Sequence, residues 1–492
     1  MKKFVLLSLI SFLILAFGAT VYGQEKAPVL DFKASGFVDA SATTYRNVAG
    51  SGGALYGPPA AADLPALDRS NAWVNERARL KFDAIMGKEL SGTIFFEMDS
   101  TRWGDLGAGR NTMGAVAADQ VALEIKNVYL DFGVPVIPVP ITVRAGVQTM
   151  GVRAPMLLLT DMAGVTVGVK PVDPLTLSLM WGKLWEGLDA NADDTDLYGL
   201  HAAFKVETMT VGGYGLYYNM NTYPIPAAAA AYGVNAPYSA SIWWLGAYVD
   251  GKLGPINLNF DFIYDTGTVE DHQDVVTHAK DVDYSGWATA VKVAFPWEKF
   301  EFGGKFLYAS GNDLKKTSAT GLPGSATPWG TITDKVGGYV VPPASEAFGA
   351  FGEDVVFYGT WMDRGGFGNG VSKSYTQVHR GAFGGTWFAK LFAKIAMTPD
   401  FKVTAQGIYI GDTTKNGNTI GNAVKSTGEP RDDSYIGIEA DLITEYKIYK
   451  NLKWDVGFGW LFAGDGLDYN IAGNNESAKD PWRLVTQIIY SF

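Results

Sequence analysis

Residues 433–465 read "DSYIGIEADLITEYKIYKNLKWDVGFGWLFAGD". Ile436, Ile438, Ala440, Leu442, Thr444, Tyr446 and Ile448 alternate with Gly437, Glu439, Asp441, Ile443, Glu445 and Lys447. After a turn at Lys450-Asn451, Trp454, Val456, Phe458, Trp460 and Phe462 alternate with Asp455, Gly457 and Gly459. A period of two at this amplitude excludes a helix, whose apolar positions recur every three or four residues. The stretch is a long hairpin with one apolar, aromatic face and one charged or small face. In a soluble sandwich the first face would cover a core. In a membrane barrel it meets lipid, and the second face lines an aqueous interior.

The pattern recurs along the chain. Val74, Ala78, Leu80 and Phe82 oppose Asn75, Arg77, Arg79, Lys81 and Asp83, and after a turn Phe96 and Met98 oppose Glu97 and Asp99. Leu258, Phe260, Phe262 and Tyr264 oppose Asn257, Asn259, Asp261 and Asp265, and Phe300, Phe302, Phe306 and Tyr308 oppose Glu301, Gly303 and Lys305. The joints alternate in length. Short ones fall at 87–89, 171–174, 254–255, 296–299, 398–400 and 450–451. Long ones, rich in Gly, Asn, Asp and Pro, fall at 47–71, 104–119, 151–162, 187–195, 221–238, 267–283, 311–379, 413–432 and 464–480. Such alternation belongs to outer-membrane barrels, with short periplasmic turns and long extracellular loops. The fold class is all-β, a transmembrane antiparallel barrel of about eighteen strands (16–18).

Both ends fit this class. "MKKFVLLSLISFLILAFGATVYG" carries two lysines, an apolar run from Phe4 to Phe17 and small residues before Gln24, the pattern of a secretory signal peptide over 1–23. That run is shorter than the ~18 apolar residues of a spanning helix. Residues 24–492 then form a single barrel domain. The last segment, "WRLVTQIIYSF" (482–492), places Trp482, Leu484, Ile488, Tyr490 and Phe492 on one face, with Arg483, Gln487 and Ser491 on the other. A terminal Phe after alternating apolar residues resembles the signal read by the barrel-assembly machinery. Pairing of the first strand with this one would close the sheet and remove its edges.

Composition narrows the function. Without Lys2 and Lys3 the chain has 38 basic against 51 acidic residues, a net of −13 that argues against nucleic acid. No cysteine is present, so no disulfide contributes. Neither a nucleophile-elbow serine nor a phosphate loop or nucleotide fingerprint is found, and the histidines number four. The chain is expected to be no enzyme and to need no cofactor.

Candidate functional residues lie on the polar faces. A turn centred on Lys88 sets Arg79 opposite Glu97 and Arg77 opposite Asp99, with Lys81 beside them. Lys126, Arg144 and Arg153 extend a basic stripe on the next strands. These eight residues are the pore-lining candidates, acting either as a charged wall that steers solutes or as pairs that neutralise one another. Trp103, Trp185, Trp243, Trp244, Trp287, Trp297, Tyr308 and Trp482 suit two interfacial girdles. The joint 311–379 is too long for a mere connection. Its aromatic content predicts an ordered lid or constriction. His272, His278, Asp271 and Asp274 in the 267–283 joint could hold a divalent cation, but their spacing matches no defined metal loop, and a solvated acidic loop is the better reading. No metal site is expected.

The hairpin with Gly437-x-Glu439-x-Asp441, Tyr446-Lys447, Asn451-Leu452 and Gly464-Asp465 resembles the alginate-export family of outer-membrane barrels. "RARLKFDA" (77–84) and "VRAGVQTMG" (143–151) are similar to that family's early strands. The resemblance implies an eighteen-stranded barrel passing an anionic polysaccharide through an arginine-rich pore, with Arg77, Arg79 and Arg144 as its basic wall. The expected function is diffusion of hydrophilic solutes or ions across an outer membrane, extending to polysaccharide export. The expected partners are membrane lipid, the assembly machinery and the solute. The alternative is a plugged barrel serving as a receptor or adhesion surface.

Overall fold

Every long strand of the sheet joins the long strands next to it in sequence, and the first also joins the last. The computed structural model describes residues 29–47, 70–104, 123–135, 137–187, 194–225, 238–271, 280–347, 352–359, 374, 376–471 and 473–492. The expected signal peptide lies outside them. The described residues hold eighteen strands of ten or more residues. These are β1 Leu30–Arg46, β2 Ser70–Met86, β3 Leu90–Arg102, β4 Glu124–Gly133, β5 Ile141–Val152 and β6 Leu158–Val172. There follow β7 Leu175–Trp185, β8 Thr195–Val206, β9 Met209–Tyr223, β10 Tyr238–Leu253, β11 Ile256–Asp271 and β12 Trp287–Trp297. The last six are β13 Phe300–Ala309, β14 Thr386–Ala396, β15 Phe401–Asp412, β16 Tyr435–Tyr449, β17 Leu452–Ala463 and β18 Trp482–Ser491. Each pairs antiparallel with the next, and β1 pairs with β18 from Phe37↔Ser491 to Arg46↔Trp482. This is a closed antiparallel barrel. No helix among the described residues is long and apolar enough to cross a membrane.

Closure explains why the two faces differ so sharply. The ladders satisfy the strand backbone, so the outer surface needs no polar partner. Trp454, Phe458, Trp460 and Phe462 stand outward, 37–51% exposed, while Asp455 on the same strand is fully buried inside. Leu484, Ile488, Tyr490 and Phe492 likewise stand outward, with Arg483 and Gln487 buried on the inner face. The expected girdle is corrected at one residue. Trp243 is exposed, but Trp244 is buried and donates its indole N–H to the Val340 carbonyl at 2.7 Å. Consecutive strand residues point to opposite faces, so the two cannot both meet lipid. Phe458 is mid-strand in β17. Phe458→Arg should cost about 2–4 kcal/mol, the value for a cation at the bilayer midplane, read by reversible unfolding from lipid vesicles; a cost below about 1 kcal/mol would place it at an interface.

The joints follow the expected alternation with one adjustment among the long ones. Short connections at 87–89, 134–140, 173–174, 207–208, 254–255, 298–299, 397–400 and 450–451 share one end with Leu30 and Phe492. At the other end the β5–β6 joint is not the long loop expected at 151–162. The ladder runs on to Val152↔Leu158, leaving only 153–157 as the turn. The apolar Met156, Leu157 and Leu158 of this tip are buried within the barrel, where water would otherwise meet them. They share a cluster with Tyr218, Trp244, Tyr339, Val341, Phe357, Tyr358 and Phe388. Burial of each such side chain contributes roughly 1.5–3 kcal/mol. The buried apolar core is thus inside the barrel, built where inward-facing strand residues meet the β5–β6 tip and parts of the β13–β14 joint.

Candidate pore and its lining

Strands β2 to β6 build one ionic wall. The predicted cross-strand pair Arg79↔Glu97 is in register. Its reason is local, because a three-residue turn fixes the pairing that follows it. The register slips between Glu76 and Ala78, so Arg77 has no one-to-one opposite residue on β3. Arg77 donates through Nε to Glu97 Oε1 at 2.5 Å, and Arg79 donates to the same oxygen at 2.9 Å and to Oε2 at 3.2 Å. Lys126 reaches Glu97 Oε2 at 3.1 Å and Asp161 Oδ2 at 2.5 Å. One carboxylate, 2% exposed, therefore holds three cations. A buried carboxylate requires such company, since desolvation alone would disfavour its charge. Lys81 pairs with Asp83 at 3.0 Å, and Arg144 grips Asp131 through two bonds of 2.8 and 2.9 Å. Arg144 also lies 4.2 Å from the Tyr129 ring centroid. The side chain of Asp99 lies outside the description.

Gly146 on β5 has φ +133°, and a Cβ there would sit 2.3 Å from the Val128 carbonyl oxygen. Only glycine permits that close approach beside Arg144. A cavity of about 310 Å³ adjoins this wall, lined by Asp131, Thr142, Arg144, Gln148, Thr166, Ser178 and His201 among others.

Arg153 does not extend the stripe. The β5–β6 tip carries it to β10 and β11, where it donates to Asp261 (2.6 and 2.7 Å) and Asp250 (2.5 and 3.3 Å). Its guanidinium lies 4.0 Å from the Tyr248 ring centroid. This bidentate, stacked arrangement suits arginine and no other cation.

A second ionic array is absent from the sequence reading. The register runs Asn259↔Lys292 between β11 and β12, Lys292↔Lys305 between β12 and β13, and Lys305↔Lys390 between β13 and β14. Three lysines thus stand side by side on the inner face, an arrangement that like-charge repulsion disfavours. Parity along β13 places Lys305 inward, but its neighbours are distant in sequence, and only the sheet order unites them.

The β13–β14 joint enters this array. Glu353 bridges the ammonium groups of Lys305 and Lys390. Lys390 Nζ and Gln406 Nε2 also donate to the Glu353 carbonyl at 3.0 and 2.9 Å. Burial would raise the Glu353 carboxyl, but the two lysines overcome it and pull it down to about 2. A depressed carboxylate contributes fully above the ordinary carboxylate range and is lost only as pH falls towards about 2, so this pair persists through mildly acidic conditions. The Glu439 carboxylate on β16 accepts the backbone N–H groups of Val355, Val356 and Phe357 at 3.0, 2.6 and 2.9 Å. Asp354 accepts from Tyr358 and Gly359; burial and then the Asp441 carboxylate push it well above the ordinary range.

Among the described residues no group of three or more His, Cys, Asp or Glu is arranged to hold a metal ion. His272, Asp274 and His278 lie outside the described residues. Asp271 ends β11, its backbone N–H donating to Asp281 at 3.2 Å.

No protein-family model matches this chain, and no curated protein matches it in sequence. Solved structures resemble it in fold. The Pseudomonas aeruginosa OccK11 (OpdR) crystal structure superposes with a TM-score of 0.50 at 10% identity, over 96% of this chain and 99% of that one. Pseudomonas aeruginosa OpdQ gives 0.49 at 9% identity, over 94% and 98%. At such identities the likeness is one of fold, and none of it points specifically to the alginate-export family.

Proposed function

We propose that this chain is an outer-membrane channel of a Gram-negative bacterium, through which hydrophilic solutes or ions diffuse without chemical change. The observation that carries this is the contrast of faces on a closed sheet, aromatic and apolar outside and ionic within. An apolar outer band needs lipid, and a charged inner wall needs water. The chain would reach that membrane by Sec-dependent export, with its C-terminal strand recognised by the assembly machinery. Of the two solute classes the sequence leaves open, small hydrophilic solutes fit an interior crossed by the β5–β6 tip and the 352–359 segment better than an anionic polysaccharide does. The purified protein in a planar bilayer should give stepwise ion currents.

A second reading has its own support. The buried cluster inside the barrel, which includes the fully buried Tyr339, Phe357 and Tyr358 of the β13–β14 joint, is what a plugged receptor or adhesion barrel would contain. Wild-type protein that inserts yet stays silent in the bilayer would favour the plug.

A further inference from the structure

We propose that Lys305 and Lys390 form an anion site filled by the chain's own Glu353, and that the carboxylate of a passing solute exchanges with Glu353 to release the 352–359 segment from the wall. This deepens the channel reading and rests on it for the solute. The first support is the register: Lys292, Lys305 and Lys390 are directly opposed in pairs on three neighbouring strands. Such a row is costly unless an anion lies between its members. The second is the nature of that anion. It belongs to no strand of the wall but to a joint segment, and its carboxylate and carbonyl are both gripped by Lys390. The third is room beside it: a cavity of about 150 Å³ is lined by Lys292, Lys305, Arg153 and Asp261. An arriving carboxylate can therefore meet Lys305 before Glu353 leaves.

The segment also has a prepared seat. Inward-facing Gly459 on β17 lies beneath it, and a Cβ there would come within 2.7 Å of Val355 Cβ. On the neighbouring strand Glu439 receives three backbone N–H groups. Lys390 and Gln406 hold the Glu353 carbonyl, Arg483 holds the Val355 carbonyl and Tyr358 meets Thr386, so the Glu353 carboxylate is the charged, exchangeable part of a segment otherwise held by neutral acceptors and main chain. Asp261, a wall carboxylate that lines the same cavity as Lys292 and Lys305, is already engaged by Arg153.

The chain has no cysteine, so one introduced thiol reports cleanly. Val356→Cys places it where the wild-type side chain is fully buried. In folded protein, verified by heat-modifiable electrophoretic migration, a charged thiol reagent should label this position slowly. Adding Glu353→Gln should raise the labelling rate at least about tenfold, the scale on which losing a charge-assisted bond shifts an opening equilibrium. With Glu353 intact, acetate should accelerate labelling more than chloride at equal ionic strength. Rates within twofold in Glu353→Gln overturn the proposal. If that variant does not fold, the acetate arm decides, and equal rates in acetate and chloride overturn it. Labelling does not depend on conductance. A silent bilayer with acetate-accelerated labelling would refute the channel and keep the latch, while stepwise currents with unchanged labelling would do the reverse.

Discussion

Deletion of residues 340–365 should raise the single-channel conductance severalfold while leaving the barrel folded. The deletion removes two stretches of the β13–β14 joint that pack in the interior: Val340 and Val341, packed near Trp244, and the 352–359 segment, bound across the inner faces of β13 to β18. None of the eighteen strands donates a ladder bond to these residues, so the sheet and its closure remain. The loss falls on the inner cluster, where Phe357 and Tyr358 are fully buried. Water would replace them and solvate Lys305, Lys390 and Glu439, which is possible only because these groups face the lumen. A wider aqueous path carries more ions at the same voltage. An unchanged conductance from protein with normal heat-modifiable migration would mean that ions take another route, along the Arg77–Arg144 wall.

What could be read in the sequence was local. Between Ile438 and Phe462 the hairpin follows its period of two, because the tight turn at Lys450-Asn451 holds the two strands in register and the lipid-facing side tolerates no charge, but Ile436 turns into the inner cluster and the register shifts between Lys447 and Tyr449. The Arg79–Glu97 pair was legible for the same reason. Its neighbour was not, since the slip between Glu76 and Ala78 leaves no mark in composition and moves Arg77 onto Glu97. Trp244 misled because an aromatic residue reads equally as an interfacial anchor or a core residue, and only strict parity with exposed Trp243 separates the two. The β5–β6 joint was overestimated because its Gly and Pro residues signal a turn without giving its length. The lysine row and the Glu353 bridge lay beyond reach. They depend on which strands become neighbours and on a joint returning to the wall, and neither is encoded in any window of adjacent residues. Arg153 is the same case: its chemistry was evident, and its partners, Asp250 and Asp261, are strands away.

Replacing Arg77, Arg79 and Arg144 together by Ala should move the reversal potential towards cation selectivity. Setting aside the neutral Lys81–Asp83 pair, the wall presents Arg77, Arg79, Lys126 and Arg144 against Glu97, Asp161 and Asp131. The triple variant leaves Lys126 alone against the same three carboxylates, so the sign of the wall reverses. Salt screens charges beyond about 8 Å at physiological strength. An aqueous path bounded by low-dielectric walls nevertheless focuses the field of charges that line it. The effect should therefore be largest at low salt and fade as salt rises, which a general loss of structure would not produce. Glu97→Gln supplies the opposite arm. It removes the carboxylate shared by three cations, so its selectivity should shift towards anions. It should also cost stability, of the order of 3–5 kcal/mol, because Arg77 is 5% exposed and loses a carboxylate that compensates its burial. Opposite shifts in the two variants identify this wall as the conducting surface. If both keep the wild-type permeability ratio at low salt, the Glu97 network is scaffolding, and solutes pass by way of the lysine row.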